Sequence, residues 1–238
     1  MSAAADHCLE LVRAADKDRF LASLFAPDSK RPALLALYAF NIEIASVRNK
    51  VSEPAIGEIR YQWWRDTLVE IYRGETPAHP VAQELARAIE TSALLQKPLQ
   101  DLISARAFDL YDDAMPDVAA LEGYLGETSS ALIQMASLVL AGPEARASAE
   151  AAGLAGVAYG IAKLLRARNF MPPKFDARTQ ARMRLDEARA LRSAISPKAF
   201  PAFLSVSLTE LYLNASGTEI SQLRRQWRLW RAARWERF

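Results

Sequence analysis

The chain has 238 residues, 51% hydrophobic and 24% charged, with a formal net charge of +2. That is enough chain for one sizeable domain with a continuous core, and a single cysteine (Cys8) with only two histidines (His7 and His79) excludes an internal disulfide and a histidine-rich metal site. Asp6 and Glu10 interrupt the start, so no leader is predicted, and no apolar run reaches the roughly 18 residues of a membrane span.

Apolar residues recur at three- and four-residue spacing almost throughout, and no alternating run stands out, so the expected fold class is all-α. Helices are predicted near 6–26, with a break around Asp16–Asp18, then near 30–48, 54–73, 78–94 and 97–112. Others follow near 117–141, 146–169, 178–194, 199–214 and 219–236. Pro27-Asp28-Ser29 ends one helix and offers caps to the next, and Pro54 sits near a helix start. Gly74 with Pro77, Met115-Pro116-Asp117 and Gly142-Pro143 mark further stops. Met171-Pro172-Pro173 is an extended connector, and Ser196-Pro197 and Gly217-Thr218 mark the last joins. The apolar stretches 131–140 and 151–165 read as buried core helices. No linker argues for two domains, and helices joined by short turns predict a single-domain bundle with a central cavity over 1–217, with 218–238 packed on it or appended to it.

The charge is unevenly spread. Residues 221–238 carry six arginines and one glutamate, a net +5, against −3 for the rest of the chain. Positive charge is therefore a property of the tail.

Several pieces fall in a characteristic order. Asp18-Arg19-Phe20 leads to Leu35-Ala36-Leu37-Tyr38-Ala39-Phe40, then Arg60-Tyr61-Gln62-Trp63-Trp64-Arg65-Asp66, His79-Pro80-Val81-Ala82 and Arg106-Ala107-Phe108-Asp109. Leu121-Glu122-Gly123-Tyr124 and Leu164-Leu165-Arg166 complete the set. The ordered set resembles the squalene/phytoene synthase family from about residue 16 to 215. That resemblance implies an isoprenoid-synthase-like bundle. In catalytic members two Asp-rich segments on facing helices hold magnesium, which neutralises the diphosphate leaving group. Acids four residues apart share one face of a helix, which is why they occur in such pairs.

Both acidic segments are absent. The positions that the resemblance assigns to the first read Ala45, Ser46 and Asn49, and those of the second read Ala167 and Met171, with Arg48 and Arg168 close by. Alanine and methionine cannot ligate magnesium. One branch of the family also lacks these pairs. Phe40-Asn41-Ile42-Glu43-Ile44-Ala45, Val51-Ser52-Glu53-Pro54-Ala55-Ile56-Gly57 and Asp66-Thr67-Leu68-Val69-Glu70-Ile71-Tyr72 resemble that branch, whose known role is in the assembly of respiratory complex I. The resemblance implies a non-catalytic accessory protein whose partner is a complex I subunit or assembly intermediate. It would be cytoplasmic and peripheral to the inner membrane in a bacterium, or on the matrix side in a processed mitochondrial protein. No cofactor is expected, magnesium entering only if the chain is an enzyme.

Several features of the sequence admit more than one reading. Asp109 and Asp113, four apart, form either a displaced magnesium site for a prenyltransferase or a solvated helix end. Glu43, Arg60, Arg106, Asp109 and Arg166 are candidates to line a cavity for an isoprenoid or lipid, and the alternative for Glu43, which is favoured, is a paired structural carboxylate. Trp63-Trp64-Arg65 is either an aromatic–cationic platform or one core and one rim tryptophan, and Arg60 and Arg65 suit anion contacts. In the tail, Leu223, Trp227 and Trp230 share a stripe, with Arg224, Arg228 and Arg231 on other faces. That pattern suits a helix lying on an anionic membrane, a partner surface, or a last bundle helix that buries the stripe. No nucleic-acid motif, nucleophile elbow or Gly-rich phosphate loop accompanies these features.

Overall fold

The computed structural model describes residues 2–92, 94–111, 113–167, 171–215 and 220–238. It is 80% helical, with no strand among the described residues. Two compact units are distinguished, Met1–Asp113 and Ala114–Phe238.

In the first unit the helices are α1 (Ala3–Ala15), α2 (Lys17–Ser23), α3 (Arg31–Ala45), α4 (Val47–Lys50), α5 (Pro54–Tyr72), α6 (Pro80–Ser92) and α7 (Gln96–Arg106). The predicted break in the first helix falls at Asp16, whose carboxylate accepts the Arg19 main-chain N–H at 3.2 Å and the Arg19 guanidinium at 2.6 Å. Asp16 thus ends α1 and caps α2. α3 is the axis of this unit. Every residue from Leu34 to Asn41 is buried, as expected of a helix that α1 and α6 both pack against. The predicted helix 97–112 is shorter than expected. Its α-helical part stops at Arg106 and continues as a 3-10 segment, Ala107–Tyr111.

The second unit holds α8 (Val118–Leu125), α9 (Ala131–Ala141), α10 (Ala149–Ala167), α11 (Ala177–Ala190), α12 (Thr209–Asn214) and α13 (Gln222–Trp235). Asp117, Asp176 and Ser221 cap α8, α11 and α13 through their side chains. The predicted continuous helix 117–141 is interrupted by a π segment, Gly126–Ser130. There α10 approaches very closely: a Cβ on Gly156 would lie 2.3 Å from the Ser130 Cα, so only glycine fits. The Ser130 hydroxyl donates to the Gly153 carbonyl at 2.7 Å across the same contact. The predicted helix 199–214 is a 3-10 segment, Phe200–Leu208, before it becomes α12. All nine residues of that segment are buried, and α13 packs on it. The tail helix therefore belongs to the second unit. Gly217-Thr218, Asp112 and Arg168 lie outside the described residues.

Candidate functional site

The three positions that the resemblance assigns to the first acidic segment lie where α3 ends and α4 follows. Ala45 is its last residue and Ser46 its C-cap. The Ser46 hydroxyl donates to the Glu43 carbonyl at 3.0 Å, and Asn49 is exposed on the short α4. Glu43, one turn earlier, pairs with Lys50 at 3.2 Å. The carboxylate that sequence analysis singled out on this helix is therefore an ion-paired group beside the turn.

The family-like residues around it bear structural load. The Tyr61 hydroxyl lies 3.3 Å from the Ile44 carbonyl and 3.0 Å from that of Arg106, joining α5 to the ends of α3 and α7. Burial is the main cause that pushes the Tyr61 phenol above its ordinary range, so it stays a neutral donor. Trp64 is buried and meets Phe40 edge-on at 5.2 Å, whereas Trp63 is 45% exposed. His79 lies against both indoles, at 5.5 and 5.4 Å. Its pKa is lowered, chiefly by burial, which favours the neutral ring. Arg60 is exposed and Arg65 half-buried.

Asp109 is buried in the 3-10 segment, with the Arg106 guanidinium 3.1 Å from its carboxylate. Residues three apart eclipse in a 3-10 helix, which suits this pair. Asp113 is exposed and outside any helix. Asp109 and Asp113 therefore do not share a helical face, and the four-residue spacing that suggested a displaced magnesium site has lost its geometric basis.

In the second unit Ala167 closes α10. Met171 follows in a connector outside any helix. Arg166 is exposed, its guanidinium 4.7 Å from the centre of the Tyr212 ring. Glu122 on α8 accepts a forked pair of bonds from Arg184 on α11, both 2.8 Å, and a third from Gln180 at 2.7 Å. The Arg184 hydrogen bond is the first cause holding the Glu122 carboxyl below its usual range.

α13 shows its faces plainly. Leu229 and Ala232 are buried against the unit. Arg228 also turns inward, donating to the Ser207 carbonyl at 2.9 Å and to Glu210 at 2.5 Å. Burial works to raise the Glu210 carboxyl, but the hydrogen bonds and charges of Arg189 and Arg228 outweigh it and hold the group below its ordinary range. Leu223, Trp227 and Trp230 point away from the unit, 77%, 61% and 49% exposed. The two indoles stack at 5.2 Å. Arg224 and Arg231 are exposed beside them. The reading in which the tryptophan stripe faces the core is thus excluded; the opposite face does the packing. Unforeseen from the sequence is a pocket of about 890 Å³ on the flank of α13, whose walls include Arg189 and Arg192 near the end of α11. No spacing rule links those two to the tail; only the arginine content of residues 178–192 hinted at them.

The family model for squalene/phytoene synthase matches residues 12–169. The chain belongs to the squalene/phytoene synthase family. Among solved structures, a dehydrosqualene synthase in complex with ligand superposes with a TM-score of 0.77 at 14% identity, covering 98% of this chain and 96% of that one. A squalene synthase from Alicyclobacillus acidocaldarius gives 0.76 at 19% identity, with 94% of each chain covered. These likenesses establish the all-α squalene-synthase-like fold. By sequence the chain is 33% identical to the Bos taurus protein named NADH dehydrogenase (ubiquinone) complex I, assembly factor 6, over 87% of this chain and 72% of that one. The Homo sapiens protein of the same name is also 33% identical with the same coverage, and the Drosophila melanogaster homolog is 28% identical.

Magnesium chemistry of the squalene/phytoene synthase kind needs carboxylate oxygens. The residues at the assigned positions offer a hydroxyl engaged with the main chain, an exposed amide, two alanines and a thioether. That donor set does not fit the ion, and no step is derived through it. Among the described residues no three His, Cys, Asp or Glu side chains come together as a metal site.

Proposed function

We propose that this chain is a catalytically degenerate member of the squalene/phytoene synthase family that acts as an accessory factor in respiratory complex I assembly, peripheral to the inner membrane. The observation that carries the reading is the replacement of both acidic segments, Ala45-Ser46-Asn49 and Ala167-Met171, within an otherwise retained framework. The framework residues Tyr61, Trp64, Asp109 and Glu122 are each committed to packing or pairing. The assembly role rests on the names of the relatives, and the partner is then a complex I subunit or assembly intermediate. The peripheral location is supported by the outward Leu223, Trp227 and Trp230 flanked by arginines. That is the make-up of a helix lying in a membrane interface. Among the described residues no helix is long and apolar enough to cross a membrane.

The test has two arms. Cells lacking the chain should lose assembled complex I on native gels, and the full chain should restore it. Purified protein given farnesyl or geranylgeranyl diphosphate with magnesium should release no diphosphate and form no condensed product. Normal complex I in the deleted cells removes the assembly role. A prenyl product that disappears in Asp109→Asn would establish instead the prenyltransferase with a displaced acidic site.

A further inference from the structure

We propose that the arginine-walled pocket on the flank of α13 is a binding site for a phosphate monoester that carries an apolar or aromatic body. The pocket, about 890 Å³, is lined by Arg189, Arg192, Arg228, Arg231, Arg237 and Trp235. That volume is in the range of small-molecule sites, roughly 300–1,000 Å³. All of its walls come from the second unit, and none of these residues is in the region matched to the family, which ends at 169.

Three of the five arginines are clamps. Arg189 donates to the main-chain oxygen of Phe238 at 2.6 Å and pairs with Asp186 and Glu210. Arg192 donates to the carbonyls of Glu236 and Ile195 at 2.6 and 2.7 Å and pairs with the Glu236 carboxylate at 2.6 Å. Arg228 is held by Ser207 and Glu210. Phe238 is buried against Phe200 and Phe203, with ring centres 6.1 and 5.7 Å away. The clamps therefore hold the wall, and their charge is met by Asp186, Glu210, Glu236 and the terminal carboxylate of Phe238.

Arg231 and Arg237 are different. Both are exposed, and among the described residues neither guanidinium has a carboxylate within ion-pair distance or a hydrogen-bond acceptor. Five guanidinium groups face four carboxylates, those of Asp186, Glu210 and Glu236 and the terminal one of Phe238, which leaves an excess of one positive charge on this pocket. A phosphate monoester carries about −1.5 to −2 at neutral pH and is drawn to that positive charge, which sits on the two guanidinium groups that no carboxylate engages. Two unengaged guanidinium forks suit its three oxygens, since the planar group bonds phosphate bidentately. Trp235, 63% exposed with the Arg234 guanidinium over its ring at 5.0 Å, offers the remaining indole surface for the organic part of the ester. A soluble phosphate ester and the headgroup of a phosphatidic acid share this chemistry.

The experiment uses the full chain and does not depend on the assembly role. Phenyl phosphate is titrated by calorimetry and thermal shift, with sodium sulfate at matched ionic strength as control. The expected result is saturable binding and a rise in Tm with phenyl phosphate, neither reproduced by sulfate. Arg231→Gln combined with Arg237→Gln should weaken binding at least tenfold. Its ligand-free Tm should stay within about a degree of the parent, because surface side chains without partners contribute little to stability. Phosphatidylcholine vesicles doped with phosphatidic acid, or with phosphatidylserine at equal surface charge, form the second arm. Preference for phosphatidic acid that the double variant loses identifies a lipid source, and phenyl phosphate binding without that preference identifies a soluble ester. Absence of both, binding that sulfate reproduces, or binding that survives in the double variant overturns the proposal.

Discussion

Gly156→Ala should destabilise the chain, while Gly153→Ala, one turn away on the same helix, should stabilise it. At 156 a new Cβ would lie 2.3 Å from the Cα, 2.4 Å from the hydroxyl oxygen and 2.5 Å from the nitrogen of Ser130. Ordinary contact begins near 3.4 Å, so α10 and the π segment must separate by about 1 Å. Two of those three atoms are main chain and cannot swing aside. Overpacking of this kind costs about 1–3 kcal/mol, and the opening strains the Ser130–Gly153 hydrogen bond, worth about 1 kcal/mol. Alanine returns up to about 1 kcal/mol of helix propensity. The net is a loss of about 2 kcal/mol, or a Tm lower by about 4–8 °C for a chain of this size. At 153 nothing lies within 4 Å of the added carbon, so only the propensity gain remains and Tm should rise by about 2–4 °C. Gly160→Ala should fall between them, because its closest atom is a terminal methyl of Leu125 at 2.5 Å, which can rotate. Differential scanning calorimetry at one pH reads all three. Gly156→Ala matching Gly153→Ala in sign would refute the close-approach argument.

Glu122 sets an acid limit. Its folded pKa is depressed, so its contribution is present above the unfolded value and is lost as pH falls through the folded one. By urea unfolding, Glu122→Gln should be less stable at pH 7 by about 1–3 kcal/mol, the worth of charged hydrogen bonds, and its stability should fall less than the parent's on acidification to pH 3. Cys8 is buried, and burial first, then the charges of Glu84 and Glu43, push its thiol up to about 12; a disulfide reagent at pH 8 should label it only after unfolding. Trp64→Ala should cost about 3–5 kcal/mol by urea unfolding, and Trp63→Ala clearly less, since its indole is 45% exposed. Leu229→Ala should cost about 2–5 kcal/mol because it sits at the α13 contact. Trp227→Ala with Trp230→Ala should leave Tm nearly unchanged yet reduce retention on anionic vesicles; equal retention removes the interfacial role.

The helices were legible where buried and solvent faces differ or a breaker stands at the join, as at Asp16, Pro54 and Asp117. They were less legible where the turn geometry changes without a breaker. Residues 126–130 keep helical spacing of apolar residues on either side, and only the contact with Gly156 marks the π segment. The 3-10 form of 107–111 is likewise silent in the sequence, yet it decides that Asp109 and Asp113 part company. The tail stripe was legible as a stripe but not as a direction. Its outward tryptophans are larger than the inward Leu229 and Ala232, so hydrophobicity alone points the helix the wrong way. What fixes the direction is long-range: Arg228 reaches Ser207 and Glu210, and Phe238 enters the aromatic cluster with Phe200 and Phe203.

The same long-range logic accounts for which family features this chain keeps. Asp16 and Arg19 form a buried pair that ends one helix and starts another, with Arg19 also over the Tyr38 ring at 5.8 Å. Removing one partner of such a pair leaves an uncompensated charge and costs about 3–5 kcal/mol. Tyr61, Trp64 and Asp109 are similarly built into the first unit, and Glu122 ties α8 to α11 in the second. The positions assigned to the acids carry no such load: Ala45 and Ser46 end a helix, Asn49 is exposed, and Met171 lies in a connector. A carboxylate there contributes through a bound cation and little through the fold. A chain released from ionising allylic diphosphates can therefore lose those acids at small cost in stability, whereas losing the framework would unfold it. Under the accessory role proposed above, a partner or ligand would be met by surfaces other than those positions, and the arginine-bearing outer face and flank of α13 form one such surface.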